Sequence, residues 1–240
     1  MDGGVKTVAA ALSAIGHYAD STTSVATLTY QFFTGRTPTG AGLDYLIHSD
    51  ANPADLNDAY YAKFNLENRY INFAVNLGKL GEGKDAFAAQ YGALSLSDAV
   101  KTAYTAIFGT APTAAKVAAI LDASVTFGGQ TMTRAAYLAS YGLDGQNGIG
   151  TKAAAVGYLL VEALKADLGP LAQANDHFLS DLADGAAQYN VDLTAVYSVH
   201  NDLDSLYSAP DAAAGRVETP TRPAAASGAE YRLSRSLCTE

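Results

Sequence analysis

The chain has 240 residues, enough for one substantial hydrophobic core or two small ones, and carries a net charge of −9. Hydrophobic residues make up 49% of it and charged residues 16%, which is the composition of a folded globular protein. The acidic balance argues against nucleic acid as a partner, because phosphate binding needs clustered lysine and arginine. The single cysteine, Cys238, excludes an intrachain disulfide and a cysteine-based metal site.

The sequence also gives no sign of membrane insertion. No apolar run reaches the roughly 20 residues that a membrane-spanning helix needs. The first residues, MDGGVKTVAAALSAIGHYAD, contain one lysine, a broken apolar stretch and no Ala-x-Ala site, unlike a secretory signal. We therefore expect any export to use another route.

The N-terminal part of the chain is predicted to begin with three helices. Residues 5–18 and 22–34 have helical periodicity, and a serine or threonine just before the second can act as its N-cap. Glycines and prolines then interrupt the pattern twice around a short helix near 41–48.

The stretch from Asn52 to Leu77 is predicted to be one long central helix. It contains no glycine, its only proline is at the second position where a helix tolerates it, and Gly78 can end it. Apolar residues fall on two sides of this helix, as is typical of a helix at the centre of a bundle. The third side carries a polar row: Asn57, Tyr61, Asn65, Asn68, Asn72 and Asn76.

This row has two interpretations. Asparagine costs up to roughly 0.7 kcal/mol per helical site relative to alanine, so lysine or glutamate would be a less costly choice for a solvent-facing surface. The row is either a plain solvent strip or hydrogen-bonded network between helices, or a line of amides that binds a neutral polar ligand such as a sugar chain. Periodicity alone does not decide between them.

The second half of the chain is also predicted to be helical. The predicted helices span 84–92, 96–108, 130–141, 152–168, 171–183 and 191–207. From residue 209 the sequence is rich in proline and small residues, so 209–240 is predicted to be a disordered linker or tail. The fold class is all-α, with a compact bundle of about nine to eleven helices in residues 1–208.

Two segments offset by 74 residues share one pattern. The matching positions are Tyr30, Phe33, Gly35, Pro38, Thr39, Ala41, Leu43 and Leu46, and, in the same order, Tyr104, Ile107, Gly109, Pro112, Thr113, Ala115, Val117 and Ile120. The pattern predicts a helix that ends at glycine and a new helix that starts after Pro-Thr. Because this explains the recurrence without a ligand, we interpret it as a repeated helix–turn–helix scaffold.

The chain contains no recognisable catalytic motif, and we predict that it is not an enzyme. It has no spacing typical of zinc ligands, serine hydrolases or nucleotide-binding loops. Residues 209–240 hold equal numbers of acidic and basic side chains, so the charge of −9 lies in residues 1–208. Such an acidic surface suits divalent cations such as calcium, for which the weak candidate ligands are Asp144, Asp202 and Asp204.

Two long segments, TYQFFTGRTPTGAGLDYL at 29–46 and DLNDAYYAKFNLENRYINFAVNL at 55–77, resemble the N-terminal domain of the Caulobacter surface-layer (S-layer) protein family. The resemblance continues through FAAQYGALSLSDAVKTAYTAIFG at 87–109 and more loosely to residue 207. It implies an all-helical, non-catalytic anchoring domain at the cell surface that binds the O-polysaccharide (O-antigen) of lipopolysaccharide on the outer membrane, with calcium supporting the layer.

The resemblance and the polar row together indicate which residues contact the polysaccharide. We expect these to be Tyr61, Asn65, Asn68, Arg69 and Asn72, with Arg36 and Asp44 at the rim. Other S-layer subunits or a second copy of the chain are further expected partners. The alternative is a protein–protein docking module of a secreted S-layer-associated protein.

Overall fold

A computed structural model of the chain describes residues 18–36, 38–52, 55–166 and 168–169. Its elements are, in chain order, α1 (Thr23–Thr34), α2 (Gly40–Ile47), α3 (Leu66–Val75), α4 (Lys84–Tyr91), α5 (Leu96–Phe108), α6 (Ala114–Leu121), β1 (Ser124–Phe127), β2 (Gln130–Thr133), α7 (Arg134–Gly142) and α8 (Ile149–Ala166). A short 3₁₀ turn, Tyr61–Lys63, precedes α3, and a π-helical turn, Asn76–Leu80, follows it. The prediction of an all-α fold is confirmed, with one small hairpin added.

Some predicted segments lie outside the described residues. These are the predicted helix at 5–18 except for its last residue, the helices at 171–183 and 191–207, the tail at 209–240, and the two aspartates Asp202 and Asp204. Within the described part, α4, α5 and α8 agree with the predicted helices to within a few residues.

The centre of the fold is α8 packed against α3, with α5 and α7 also packed on α8. Nearly every residue of α8 from Gly150 to Ala163 is buried. At Gly157 the two central helices approach so closely that an added Cβ would lie 2.5 Å from the carbonyl oxygen of Tyr70 and 2.8 Å from the Cα of Ile71. Glycine is therefore required where the two helices cross.

The single helix predicted over residues 52–77 is wrong, because helix α3 begins only at Leu66. Two aspartates, Asp55 and Asp58, accept hydrogen bonds from nearby backbone N–H groups, and the predicted helix would have used two of these, those of Asn57 and Tyr60. The donors are Ser49, Asn57 and Tyr60, at 2.7 to 2.9 Å. Short polar side chains that bond to nearby backbone favour turns over helix, so this segment folds as a loop.

The repeated helix–turn–helix pattern is confirmed in its local geometry. Gly35 and Gly109 end their helices in the left-handed conformation, with φ of 66° and 74°. Thr39 and Thr113 cap the next helices, each accepting a hydrogen bond at 3.1 Å from the backbone N–H three residues further on. Both copies therefore act as scaffold turns.

A β-hairpin lies where the sequence predicted the start of a helix at 130. Gly128 and Gly129 have φ of 56° and 75°, as a two-residue hairpin turn with both central residues at positive φ requires. Strands β1 and β2 pair antiparallel on either side of this turn. Helix α7 therefore starts at Arg134, after the second strand.

Candidate functional site

The polar row on α3 and its flanks has a buried end, which we define as Asn72 and Asn76 with Tyr60 and Tyr61. Tyr61 is fully buried, and its hydroxyl donates to Asn72 Oδ1 at 2.9 Å. The side-chain nitrogen of Asn72 donates to the Tyr60 hydroxyl at 3.2 Å. The side-chain nitrogen of Asn76 donates to Asn72 Oδ1 at 3.2 Å and to the Tyr61 hydroxyl at 3.3 Å. The amides and phenols of this end bind one another.

This burial corrects the expectation that Tyr61 and Asn72 contact a polysaccharide directly. Tyr61 has 0% of its surface exposed and Asn72 has 5%, and the polar atoms of both are used inside the protein. A polymer at the surface cannot reach them without opening the network. At this end the hydrogen-bonded network is the interpretation that holds.

The other end of the row, here called the open end, consists of Asn65 and Asn68 with Tyr137, Tyr141 and Phe127. Asn65 is the exposed N-cap of α3, and its side-chain oxygen accepts from the Asn68 backbone N–H at 2.8 Å. The side-chain oxygen of Asn68 accepts from the Tyr137 hydroxyl at 2.6 Å. Among the described residues, neither Asn65 nor Asn68 has a hydrogen-bond acceptor for its side-chain NH₂ group. Two amide donors at this end can therefore bind a ligand.

A cluster of aromatic rings adjoins the Asn68 amide through Tyr137. The Tyr137 and Tyr141 hydroxyls lie 3.3 Å apart, and their rings meet edge to face with centroids 5.3 Å apart. The ring of Phe127, at the tip of the hairpin, lies 5.5 Å from that of Tyr137 and is 37% exposed. Tyr137 is buried, whereas Tyr141 is half-buried. Tyr137 therefore links a partly exposed apolar ring to partly exposed amides.

Arg69, another predicted contact residue, has a structural role in the loop before α3. Its guanidinium donates to the backbone carbonyls of Ser21 and Leu56 at 2.9 Å and of Phe64 at 3.4 Å. Burial lowers the pKa of Arg69 below its ordinary value. Arg69 ties the segment that carries Tyr60 and Tyr61 to α3.

The predicted rim residues Arg36 and Asp44 are not in contact with the open end. Arg36 follows α1 and forms an ion pair with Glu82, which also accepts a hydrogen bond from the Tyr30 hydroxyl at 3.0 Å. Asp44 is exposed on α2. Asn57, the first member of the predicted row, lies in the loop before α3 and accepts from the Tyr18 hydroxyl at 2.7 Å.

Asp144, the described cation candidate, caps α8. One carboxylate oxygen accepts from the Gly150 N–H at 2.7 Å, and the other accepts from the Thr151 N–H at 3.3 Å. The ammonium group of Lys79 lies 3.5 Å from the first oxygen. An adjacent ammonium group and two backbone donors do not fit a calcium ligand. In the part of the chain that the structure describes, no three His, Cys, Asp or Glu side chains are placed to hold a metal.

Beside the open end, on the same turn of α3, Glu67 lies between two cations. Its carboxylate oxygens lie 3.8 Å from Arg134 Nη1 and 3.9 Å from Lys165 Nζ. The Arg134 guanidinium lies over the Tyr158 ring, 3.9 Å from its centroid. Burial raises the pKa of Tyr158 to about 12. Lys165 also pairs with Glu162, at 3.1 Å, so two basic and two acidic side chains balance next to the open end.

Comparison with known proteins gives one family. A family model described as the RsaA N-terminal domain matches residues 22–204. The chain belongs to the RsaA N-terminal domain family. The family is a structural component of S-layers, and membership of it implies a location at the cell surface. No curated protein matches the chain.

None of the described helices of this RsaA N-terminal domain is long and apolar enough to span a membrane.

Three aromatic residues of the open end were not predicted from the sequence, namely Phe127, Tyr137 and Tyr141. Two signals were available. The tyrosines are four residues apart on one helix, and Gly128-Gly129 lies between two short segments that contain β-branched residues, which is typical of a hairpin.

Proposed function

We propose that this domain attaches an S-layer or S-layer-like protein to the outer membrane by binding the O-polysaccharide of lipopolysaccharide non-covalently. Membership of the RsaA N-terminal domain family is the observation that carries this proposal. The open end supplies the surface: amide donors beside partly exposed aromatic rings. We propose no catalytic role for it.

The chemistry of the open end suits a neutral sugar chain. A sugar ring offers hydroxyl groups around its edge and C–H groups on its face, so it can use hydrogen-bond donors and an aromatic ring together. The NH₂ groups of Asn65 and Asn68 supply the donors, and the exposed part of Phe127 supplies the apolar surface. None of the five residues that define the open end is charged at neutral pH, which favours a neutral ligand over an anionic one.

Asn68 is the central contact residue of the proposal. Tyr137 holds the oxygen of its amide at 2.6 Å, so the amide plane is fixed before a ligand arrives. A fixed donor loses less conformational entropy on binding than a free one. Asn65, one turn away at the N-cap, is fixed in the same way by its bond to the Asn68 N–H.

Isothermal titration calorimetry with isolated O-polysaccharide tests the proposal. We expect heat of binding with O-polysaccharide and none with the core oligosaccharide of rough lipopolysaccharide. The double variant Asn68→Ala/Phe127→Ala should lose about tenfold or more in affinity, which corresponds to about 1.4 kcal/mol. The matched control is Gln90→Ala, which removes an exposed amide on α4 and should bind as the wild type does.

The outcomes separate the two candidate functions. Equal or absent heat with both saccharides contradicts polysaccharide anchoring. Retention of the domain on envelopes that lack O-polysaccharide points instead to the protein-docking alternative. Loss of binding in Gln90→Ala as well as in the double variant contradicts the assignment to the open end.

Calcium is part of the proposal as a supporting ion. We propose that it bridges acidic groups of this chain to the envelope, without assigning a site to any described residue. Chelator should then weaken retention on cells while leaving the calorimetric affinity for isolated O-polysaccharide unchanged. Equal retention with and without chelator removes calcium from the account.

A further inference from the structure

The hairpin β1–β2 has an outer edge whose backbone groups face away from its partner strand. The Arg134 N–H donates to the Ala123 carbonyl at 2.8 Å, which makes 123 and 134 a hydrogen-bonded pair. In an antiparallel ladder such pairs alternate with pairs whose N–H and C=O groups point outward. With the observed register, the outward groups belong to Ser124 and Thr126 on β1 and to Thr131 and Thr133 on β2.

The β1 edge is the more complete of the two. On β2, Thr133 is the N-cap of α7, and its side chain accepts from the Ala136 N–H at 3.3 Å. The chain leaves the strand there, so the edge is complete only at Thr131. On β1, the N–H and C=O groups of Ser124 and Thr126 hydrogen-bond to no described residue. The side chains of both residues are exposed.

Apart from its short length, this edge lacks the features that normally prevent strand pairing. Residues 124–133, SVTFGGQTMT, contain no proline and no ionisable side chain. The strands are continuous, and four consecutive residues of β1 pair with four of β2 in simple register. Natural edge strands are usually blocked by charge, proline or a bulge, so an unblocked edge is available for pairing.

We propose that the β1 edge pairs antiparallel with the same edge of a second copy, which joins two hairpins into a four-stranded sheet. A strand pairs with its own copy about a two-fold axis because each outward N–H meets an outward C=O of the other copy. Two chains that each carry −9 repel, and an uncharged strip lets them meet without like charges opposite one another. A positively charged partner would instead be drawn to the acidic surface.

The contact is small, and this sets its strength. A four-residue strand pair buries well below the roughly 800 Å² per partner of a standard interface, so we expect a dissociation constant of about 0.1–1 mM in solution. Chains held side by side on a surface would reach such effective concentrations. The pairing itself does not depend on the proposed polysaccharide binding.

Sedimentation equilibrium of the full chain without polysaccharide, from 10 µM to 1 mM in order of magnitude, tests the inference. The average mass should rise with concentration from 24.8 kDa toward twice that value. Thr126→Pro should remain monomeric, because proline removes an outward N–H without breaking a bond inside the hairpin. Thr126→Val keeps this N–H and should associate like the wild type.

NMR of the wild type covers the case in which the proline variant is poorly folded. The backbone amide signals of Ser124 and Thr126 should shift with protein concentration, whereas those of Val125 and Phe127 should not. A wild type that stays monomeric up to about 1 mM overturns the inference. Unchanged association in folded Thr126→Pro, or loss of association only in Thr131→Pro, overturns the assignment to β1.

Discussion

The two ends of the amide row use the same residue type for different purposes. At the buried end, Asn72 and Asn76 bind phenols brought by the loop just before α3. At the open end, Asn68 accepts from a phenol of α7 and Asn65 caps α3, and the NH₂ groups of both lack acceptors among the described residues. The difference teaches that burial, and not residue type or spacing, decides whether an asparagine row stabilises a fold or can bind a ligand.

Removal of the central amide of the buried end should have the largest effect. We expect Asn72→Ala to lower the free energy of unfolding by about 2–4 kcal/mol, because Tyr60, Tyr61 and Asn76 each lose a buried hydrogen-bond partner. Urea denaturation measures this. The control Asn57→Ala, at an exposed amide, should change stability by less than about 0.5 kcal/mol. A loss in Asn72→Ala as small as in the control would contradict a stabilising network at the buried end.

The next largest effect on stability should come from Arg69, which holds the loop with Tyr60 and Tyr61 against α3. Arg69→Met should cost about 1.5–3 kcal/mol, since three backbone carbonyls lose a charged donor. The exposed Lys63→Met, in the same segment, serves as the control and should be nearly neutral. Thermal unfolding of both variants followed by circular dichroism provides the comparison. Equal melting temperatures for Arg69→Met and the wild type would contradict this structural role of Arg69.

Asn65 allows stability and binding at the open end to be separated. Asn65→Ala should cost about 1 kcal/mol through the lost N-cap, whereas Asn65→Ser keeps a capping oxygen and should cost a few tenths of that. Both variants lose the side-chain NH₂ group. We therefore expect both to bind O-polysaccharide more weakly, by about the same factor. Normal binding by Asn65→Ser would remove this NH₂ group from the proposed site.

Two buried phenols outside the row should have the smallest effect on stability, because they change the free energy of unfolding only at alkaline pH. Burial raises the pKa of Tyr91 and of Tyr158 to about 12 from an ordinary value of 10. The folded state favours the neutral phenol, so this stabilisation is complete below pH 10 and is lost as the pH rises toward 12. Unfolding free energies measured from pH 7 to 12 should be flat with respect to these groups until about pH 10. Ionisation of both tyrosines near pH 10 in the folded protein would contradict their burial.

Local signals in the sequence predicted local structure well. The glycine stops at Gly35 and Gly109 and the caps at Thr39 and Thr113 each depend on residues within one turn, so their recurrence could be read directly. The prediction of one long helix at 52–77 was wrong, and the reason is also local. Side chains of Asp55 and Asp58 compete for backbone donors, and apolar periodicity does not register that competition.

The candidate site was less predictable because its contacts are long-range. Tyr137 lies 69 residues from Asn68, and nothing in the spacing of either segment indicates that they meet. The family could be recognised from the segments at 29–46 and 55–77. These segments contain the asparagines of both ends, but they do not indicate which asparagines are enclosed and which are accessible. Only the packing of α3 against its neighbours separates the amides that are enclosed from those that are not.

The most direct test of the account is an NMR titration that follows the side-chain NH₂ signals of the row while O-polysaccharide is added. The account predicts that the signals of Asn65 and Asn68 shift and saturate, while those of Asn72 and Asn76 stay in place. Shifts confined to Asn72 and Asn76, or no shift in any of the four at saturating polysaccharide, would contradict it.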